Sequence, residues 1–128
     1  MAAIELRRAG EIAYREAAPA REGGRDPLLC LHGFPESSHM WRAVLAAVAD
    51  SGRRALAPDL PGDPPGTWER QVEAVERFRS ALGLERVALA VHDWGGLIGL
   101  RWACDHPGAT SALVVSNTGF FPDGRWHG

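Results

Sequence analysis

The sequence predicts an α/β protein built on a mostly parallel β-sheet with helices on both faces. Three observations point there. Apolar runs of four to six residues, at Pro27–Leu31, Arg54–Pro58, Arg86–Val91 and Ala112–Val115, alternate with stretches of helical period, the signature of βαβ units. These runs are apolar nearly throughout instead of alternating, as strands buried on both faces require. Three of them lead into loops containing Asp, His, Gly or Pro, and open α/β sheets carry ligands beyond the carboxyl ends of their strands.

The elements follow in order. Ile4 to Arg15 reads as two short strands around Ala9-Gly10, with Ile12 and Tyr14 alternating against polar neighbours. Pro19 to Pro27 is a polar loop, and Pro27–Leu31 is a buried strand ended by His32-Gly33. Ser37 and Ser38 are N-cap residues for a helix that places Trp41, Val44, Leu45 and Val48 on one stripe. Asp50-Ser-Gly52 ends it, and Arg54–Pro58 is the next strand. A turn-rich loop, Asp59 to Gly66, precedes Thr67, which caps a second helix with Val72, Val75, Phe78 and Leu82 on one face; Gly83 stops it. Arg86–Val91 is a buried strand, Leu97–Ala103 a helix apolar nearly all round and hence central, and Ala112–Val115 a further strand.

Composition narrows the function classes. With 45% hydrophobic and 23% charged residues over 128 positions, the chain has the balance of a folded globular domain rather than a disordered one. Fourteen arginines are scattered among sixteen acids, giving a net charge of −2, so no basic stripe suits a nucleic acid. No apolar run approaches the ~20 residues that span a bilayer, and the first residues lack the apolar core of a secretory signal. Cys30 and Cys104 both fall in apolar or helical segments and are expected to fill core space without a disulfide, which points to a reducing, cytoplasmic setting. No metal-ligand cluster and no cofactor fingerprint occur in the sequence, so neither is expected.

The chemistry is concentrated at Val91-His-Asp-Trp-Gly95, between a buried strand and a helix. A nucleophile elbow is a tight strand–helix turn flanked by small residues, usually with Ser at its apex. Here the apex is Asp93, and Gly95 and Gly96 supply the close approach behind it. A carboxylate is already ionised at neutral pH and attacks a carbon without a base to activate it. Suitable electrophiles are sp³ carbons bearing a leaving group, such as alkyl halides and epoxides. The competing role for an Asp before a helix is an N-cap.

These residues resemble the α/β-hydrolase superfamily over nearly the whole chain, and within it the Asp-nucleophile branch of haloalkane dehalogenases and epoxide hydrolases. The matching pieces are Leu31-His-Gly-Phe-Pro-Glu-Ser-Ser38 with Trp41-Arg42, Ala57-Pro-Asp-Leu-Pro-Gly62, and His92-Asp-Trp-Gly-Gly96. The resemblance implies Asp93 as nucleophile and the backbone N–H groups of Trp94 and Phe34 as the oxyanion hole. It also implies that the Trp94 indole N–H, a donor only, faces a departing halide. Small apolar organic substrates and water would be the partners. His-Gly-Phe-Pro-Glu is similar to epoxide hydrolases, whereas Val91 and Gly95-Gly-Leu-Ile-Gly-Leu100 resemble dehalogenases, and the balance favours the dehalogenase.

In that superfamily an acid and a base histidine follow the nucleophile in the chain. Only His106 and His127 follow Asp93; His106 reads as a cap on helix carbonyls and His127 lies at the chain end. Ser116-Asn117 stands where one dehalogenase branch carries its acid, and Asp123 sits in a turn-like Pro-Asp-Gly, so base and acid stay unassigned. His32 resembles the structural histidine of the His-Gly loop. The resemblance implies that residues 1–128 form the N-terminal part of a single α/β-hydrolase domain, with the cap and the last strands beyond them. Ala112–Val115 would then be an exposed apolar sheet edge. The alternative from another class is a non-catalytic or single-turnover binding module, in which Asp93 is alkylated and not regenerated.

Overall fold

In a computed structural model, residues 2–61 and 67–119 are described. A hairpin, β1 (Ile4–Ala9) and β2 (Ile12–Ala17), opens the chain. The strands β3 (Leu28–Leu31), β4 (Ala55–Pro58), β5 (Val87–His92) and β6 (Thr110–Ser116) follow, separated by α1 (Arg42–Asp50), α2 (Trp68–Ala81) and α3 (Trp94–Asp105). All six strands lie in one sheet in the order β1-β2-β4-β3-β5-β6. β3 pairs in parallel with β4 and β5, and β5 with β6, while the hairpin joins β4 antiparallel through β2. The predicted mostly parallel sheet is therefore present.

The pleat divides the core in two. On one face Leu29, Leu31, Leu56, Val87, Leu89 and Val91 meet Val72, Val75 and Phe78 of α2 and Ile98 and Trp102 of α3. On the other, Leu28, Cys30, Ala55, Ala57, Ala88 and Ala90 meet Trp41, Leu45 and Ala49. Each large aliphatic side chain buried this way contributes roughly 1.5–3 kcal/mol. Tyr14 reaches the edge of Phe78, ring centroids 5.0 Å apart, and ties the hairpin to α2. The buried Glu16 of β2 is held by Arg54 and Arg7, so its charge is paired.

Of the caps read from sequence, Thr67 is in place, whereas neither Ser37 nor Ser38 caps α1, which follows Trp41 without a side-chain cap. Thr67 Oγ1 accepts the Arg70 N–H at 3.3 Å at the start of α2. Ser37 accepts from the His39 N–H, but it caps a 3₁₀ turn, Ser38–Trp41, that precedes α1. That turn changes the stripe expected for α1. Its buried residues are Leu45, Ala46 and Ala49, while Val44 is exposed. The opposing sheet surface is largely alanine, so the helix packs through its own small residues and Val44 turns outward.

Two further expectations are corrected. Cys104 is exposed, not in the core. It lies two residues, about 200° of helix, beyond Trp102, the buried anchor of α3. For the same reason α3 is not buried all round: Gly95, Gly96, Ile98, Gly99 and Trp102 face the sheet, whereas Arg101 and Asp105 form an exposed ion pair at 3.0 Å. Cys30 does fill the core, and burial pushes its thiol pKa up. β6 is exposed on both faces, as the sequence led one to expect. Among the described residues no helix is long and apolar enough to cross a membrane.

Candidate active site

The loops after β3, β4 and β5 meet at the carboxyl edge of the sheet, and named hydrogen bonds stitch them together. His32, buried at the end of β3, places Nδ1 2.8 Å from the Gly33 carbonyl and accepts the Leu60 N–H at Nε2, 2.9 Å. A ring whose Nε2 accepts must carry its proton on Nδ1, so His32 is a neutral brace between two loops. Asp59 completes the brace by accepting the Ser38 N–H at 2.8 Å.

Asp93 stands between β5 and α3 with φ 54° and ψ −127°, a conformation that disfavours any residue with a Cβ. Although it occupies the N-cap position, its side chain makes no cap hydrogen bond to α3. Its Oδ2 instead accepts the Phe34 N–H at 3.2 Å, across 59 residues of sequence. The N-cap reading of this Asp is thus not what the geometry shows. The carboxylate sits at the amino end of α3, where the helix dipole favours negative charge.

Glycines make this approach possible. A Cβ on Gly33 would lie 2.6 Å from Asp93 Oδ2, and one on Gly95 would strike the Leu31 and His32 carbonyls, the latter at 2.7 Å. Neither set of neighbours has room to retreat, since the first is the site carboxylate and the second is backbone. Phe34 and Trp94 lie beside Asp93 and are 73% and 40% exposed, so an apolar rim borders the carboxylate. Trp94 opens α3, immediately after Asp93.

Sequence reading missed Thr118 and gave no contact to His92, Ser116 or Glu36. Thr118 Oγ1 donates to the Asp93 carbonyl at 2.6 Å and packs over Gly96. His92 Nδ1 lies 3.1 Å from Ser116 Oγ, and its Nε2 lies 3.5 Å from Glu36 Oε1. No local signal marks Thr118 or Ser116, which reach the site only through the pairing of β6 with β5. His106 does bind a helix carbonyl, with Nδ1 2.9 Å from Trp102 O, and its Nε2 meets Glu76 at 2.9 Å. His32, His92 and His106 therefore each have both ring nitrogens engaged. The candidates Asp123 and His127, and the loop residues Asp63–Gly66, lie outside the described residues. Among the described residues no group of three His, Cys, Asp or Glu side chains is placed to hold a metal.

The sequence pattern of the alpha/beta hydrolase fold matches residues 26–126. The chain belongs to the alpha/beta hydrolase fold family. A haloalkane dehalogenase of Mycolicibacterium paratuberculosis is 38% identical over 88% of the chain and 42% of its own length. One from Mycobacterium marinum is 43% identical over 81% of the chain and 38% of its own length. Among solved structures, a loop variant of a haloalkane dehalogenase from Bradyrhizobium elkanii superposes with a TM-score of 0.75 at 28% identity, covering 88% of this chain and 40% of that one. An epoxide hydrolase from Vigna radiata also gives 0.75, at 27% identity, with coverages of 96% and 42%. The chain spans about two fifths of the length of the curated relatives it matches.

Proposed function

We propose that this chain carries the nucleophile of a haloalkane dehalogenase-like hydrolase, with Asp93 attacking a small apolar organic halide. The observation that supports this most is the Asp93 carboxylate, held at a strained strand–helix turn, uncommitted to helix capping, and facing the Phe34 amide. A carboxylate oxygen would form a bond to the sp³ carbon as the carbon–halogen bond breaks and halide departs. Water would then add to the carbonyl carbon of the resulting ester, releasing the alcohol, returning the carboxylate and giving up one proton to solvent. The Phe34 N–H, joined by the N–H of Trp94, would stabilise the oxyanion of that second step. The Trp94 indole, as a donor, would suit the leaving halide. Relatives named haloalkane dehalogenase at 38% and 43% identity support this choice of electrophile.

An epoxide is the second reading. The Gly33-Phe34-Pro35-Glu36 loop favours it, and the epoxide hydrolase from Vigna radiata superposes as well as the dehalogenase does.

The test is intact-mass analysis after incubation with a bromoalkane and, separately, an epoxide. The background should be Cys104→Ser, because the exposed Cys104 thiol is itself alkylated by such reagents. We expect one alkyl adduct or continuous bromide release, both abolished in Asp93→Asn. An adduct that persists in that variant, or no reaction with either reagent, would sink the assignment. A stable adduct without further bromide release would identify the single-turnover behaviour.

A further inference from the structure

The amide of Phe34 carries the contact to Asp93, yet Phe34 is 73% exposed and is not part of either core cluster. Its position is set by its flanks. On one side, Gly33 O receives both the His32 ring and the Glu36 N–H, the latter at 3.0 Å, which closes a tight turn around Phe34 and Pro35. On the other side, the Glu36 side chain leaves that turn and meets His92, the residue immediately before Asp93, at 3.5 Å.

His92 is fixed in turn from β6. The Ser116 hydroxyl donates to the Val91 carbonyl at 3.4 Å, which leaves its lone pairs to accept from His92 Nδ1–H at 3.1 Å. With Nδ1 committed, Nε2 is aimed at Glu36, and the contact is an ion pair whenever the ring is protonated. The charged side chains facing His92 in this arrangement are Glu36 and its chain neighbour Asp93.

We infer that Glu36, acting through the His92–Ser116 pair, is a positioning residue that holds the Phe34 amide on the Asp93 carboxylate. The inference deepens the reading of Asp93 given above and rests on it for its meaning. Its structural content stands apart from any turnover. Partly exposed ion pairs are weak, so the expected effect is graded rather than all-or-none.

Two-dimensional ¹H–¹⁵N spectra of the 128-residue chain read the contact directly. In Glu36→Ala we expect the Phe34 amide proton to move upfield and to exchange with solvent roughly two- to fivefold faster. In Glu36→Gln, whose side-chain amide carries both a donor and an acceptor and so can still bond His92 Nε2, most of both changes should be reversed. The Leu60 amide, which donates to His32, should hold its position in both variants. An unmoved Phe34 amide in Glu36→Ala overturns the inference. So does an equal movement of Leu60, which would mean that Glu36 merely keeps the loop folded, and so does Glu36→Gln behaving as Glu36→Ala. If the Asp93 chemistry fails instead, the bromoalkane and epoxide experiments show no Asp93-dependent reaction while these spectra still report the coupling.

Discussion

At Asp93 the backbone is held in a region that side chains with a Cβ adopt at a cost of roughly 1–3 kcal/mol. The site therefore draws stability from its surroundings, and the draw is measurable. Asp93→Ala and Asp93→Gly both remove the carboxylate and its bond from Phe34, so their difference isolates the backbone. Elsewhere in regular structure Ala is the more stable of the two by roughly 0.5–1 kcal/mol. Here the order should reverse, with the Gly variant ahead by about 1–2 kcal/mol in urea denaturation. Equal stabilities, or Ala ahead, would show that the turn is relaxed. The meeting of Phe34 with Asp93 was legible in the sequence because each stands just past the end of a predicted strand in a short motif. The contacts of Glu36, Ser116 and Thr118 were not, since they exist only after β3, β5 and β6 have been brought side by side. Nothing in the residues near Thr118 announces that it will bind the carbonyl of a residue 25 positions away.

Between elements, α2 and α3 are joined by more than their apolar stripes. Glu76 of α2 receives Arg79 at 2.6 Å, the indole N–H of Trp102 at 3.4 Å and His106 Nε2 at 2.9 Å. The Arg79 guanidinium, then Trp102 and His106, hold the Glu76 carboxyl below its usual pKa, against a smaller opposing effect of burial. A carboxyl whose pKa is depressed by folding adds stability fully present above the ordinary carboxylate range, and that stability fades as pH falls through its folded value. Thermal melts should therefore find Glu76→Gln less stable than the parent at neutral pH, with the gap closing below about pH 4.5. A gap that stays constant down to acid pH would show that the cluster adds no charge-dependent stability. Helix and strand existence were readable because each element carries its own period, as Val72, Val75 and Phe78 do. What was misread, Val44 and Cys104, are side chains whose exposure depends on what lies across from them. An alanine-lined sheet draws α1 in on its small residues, and no periodicity within the helix itself records that.

Across the whole molecule the two edges of the sheet are unlike. β1 carries Glu5, Arg7 and Arg8 along its outer edge, the charges that keep an open strand from pairing with another chain. β6, at the opposite edge, reads Thr-Ser-Ala-Leu-Val-Val-Ser, with no charge and no proline. Leu113, Val114 and Val115 are 46%, 62% and 47% exposed, so apolar surface faces outward on both sides of the strand. A seven-residue strand of high β-propensity and zero charge, unpaired along one side among the described residues, is a template for edge-to-edge association. The 128-residue chain should accordingly self-associate with rising concentration, seen as growth in apparent mass by light scattering. Val114→Lys, placed at the most exposed of the three apolar positions, should restore a monomer without loss of melting temperature, because little packing is removed there. A lysine at Leu6, on the already charged β1 edge, provides the control and should change the apparent mass little. If the parent chain stays monomeric at high concentration, or if the Leu6 and Val114 variants behave alike, β6 is not the adhesive edge. The asymmetry between edges would then need another account.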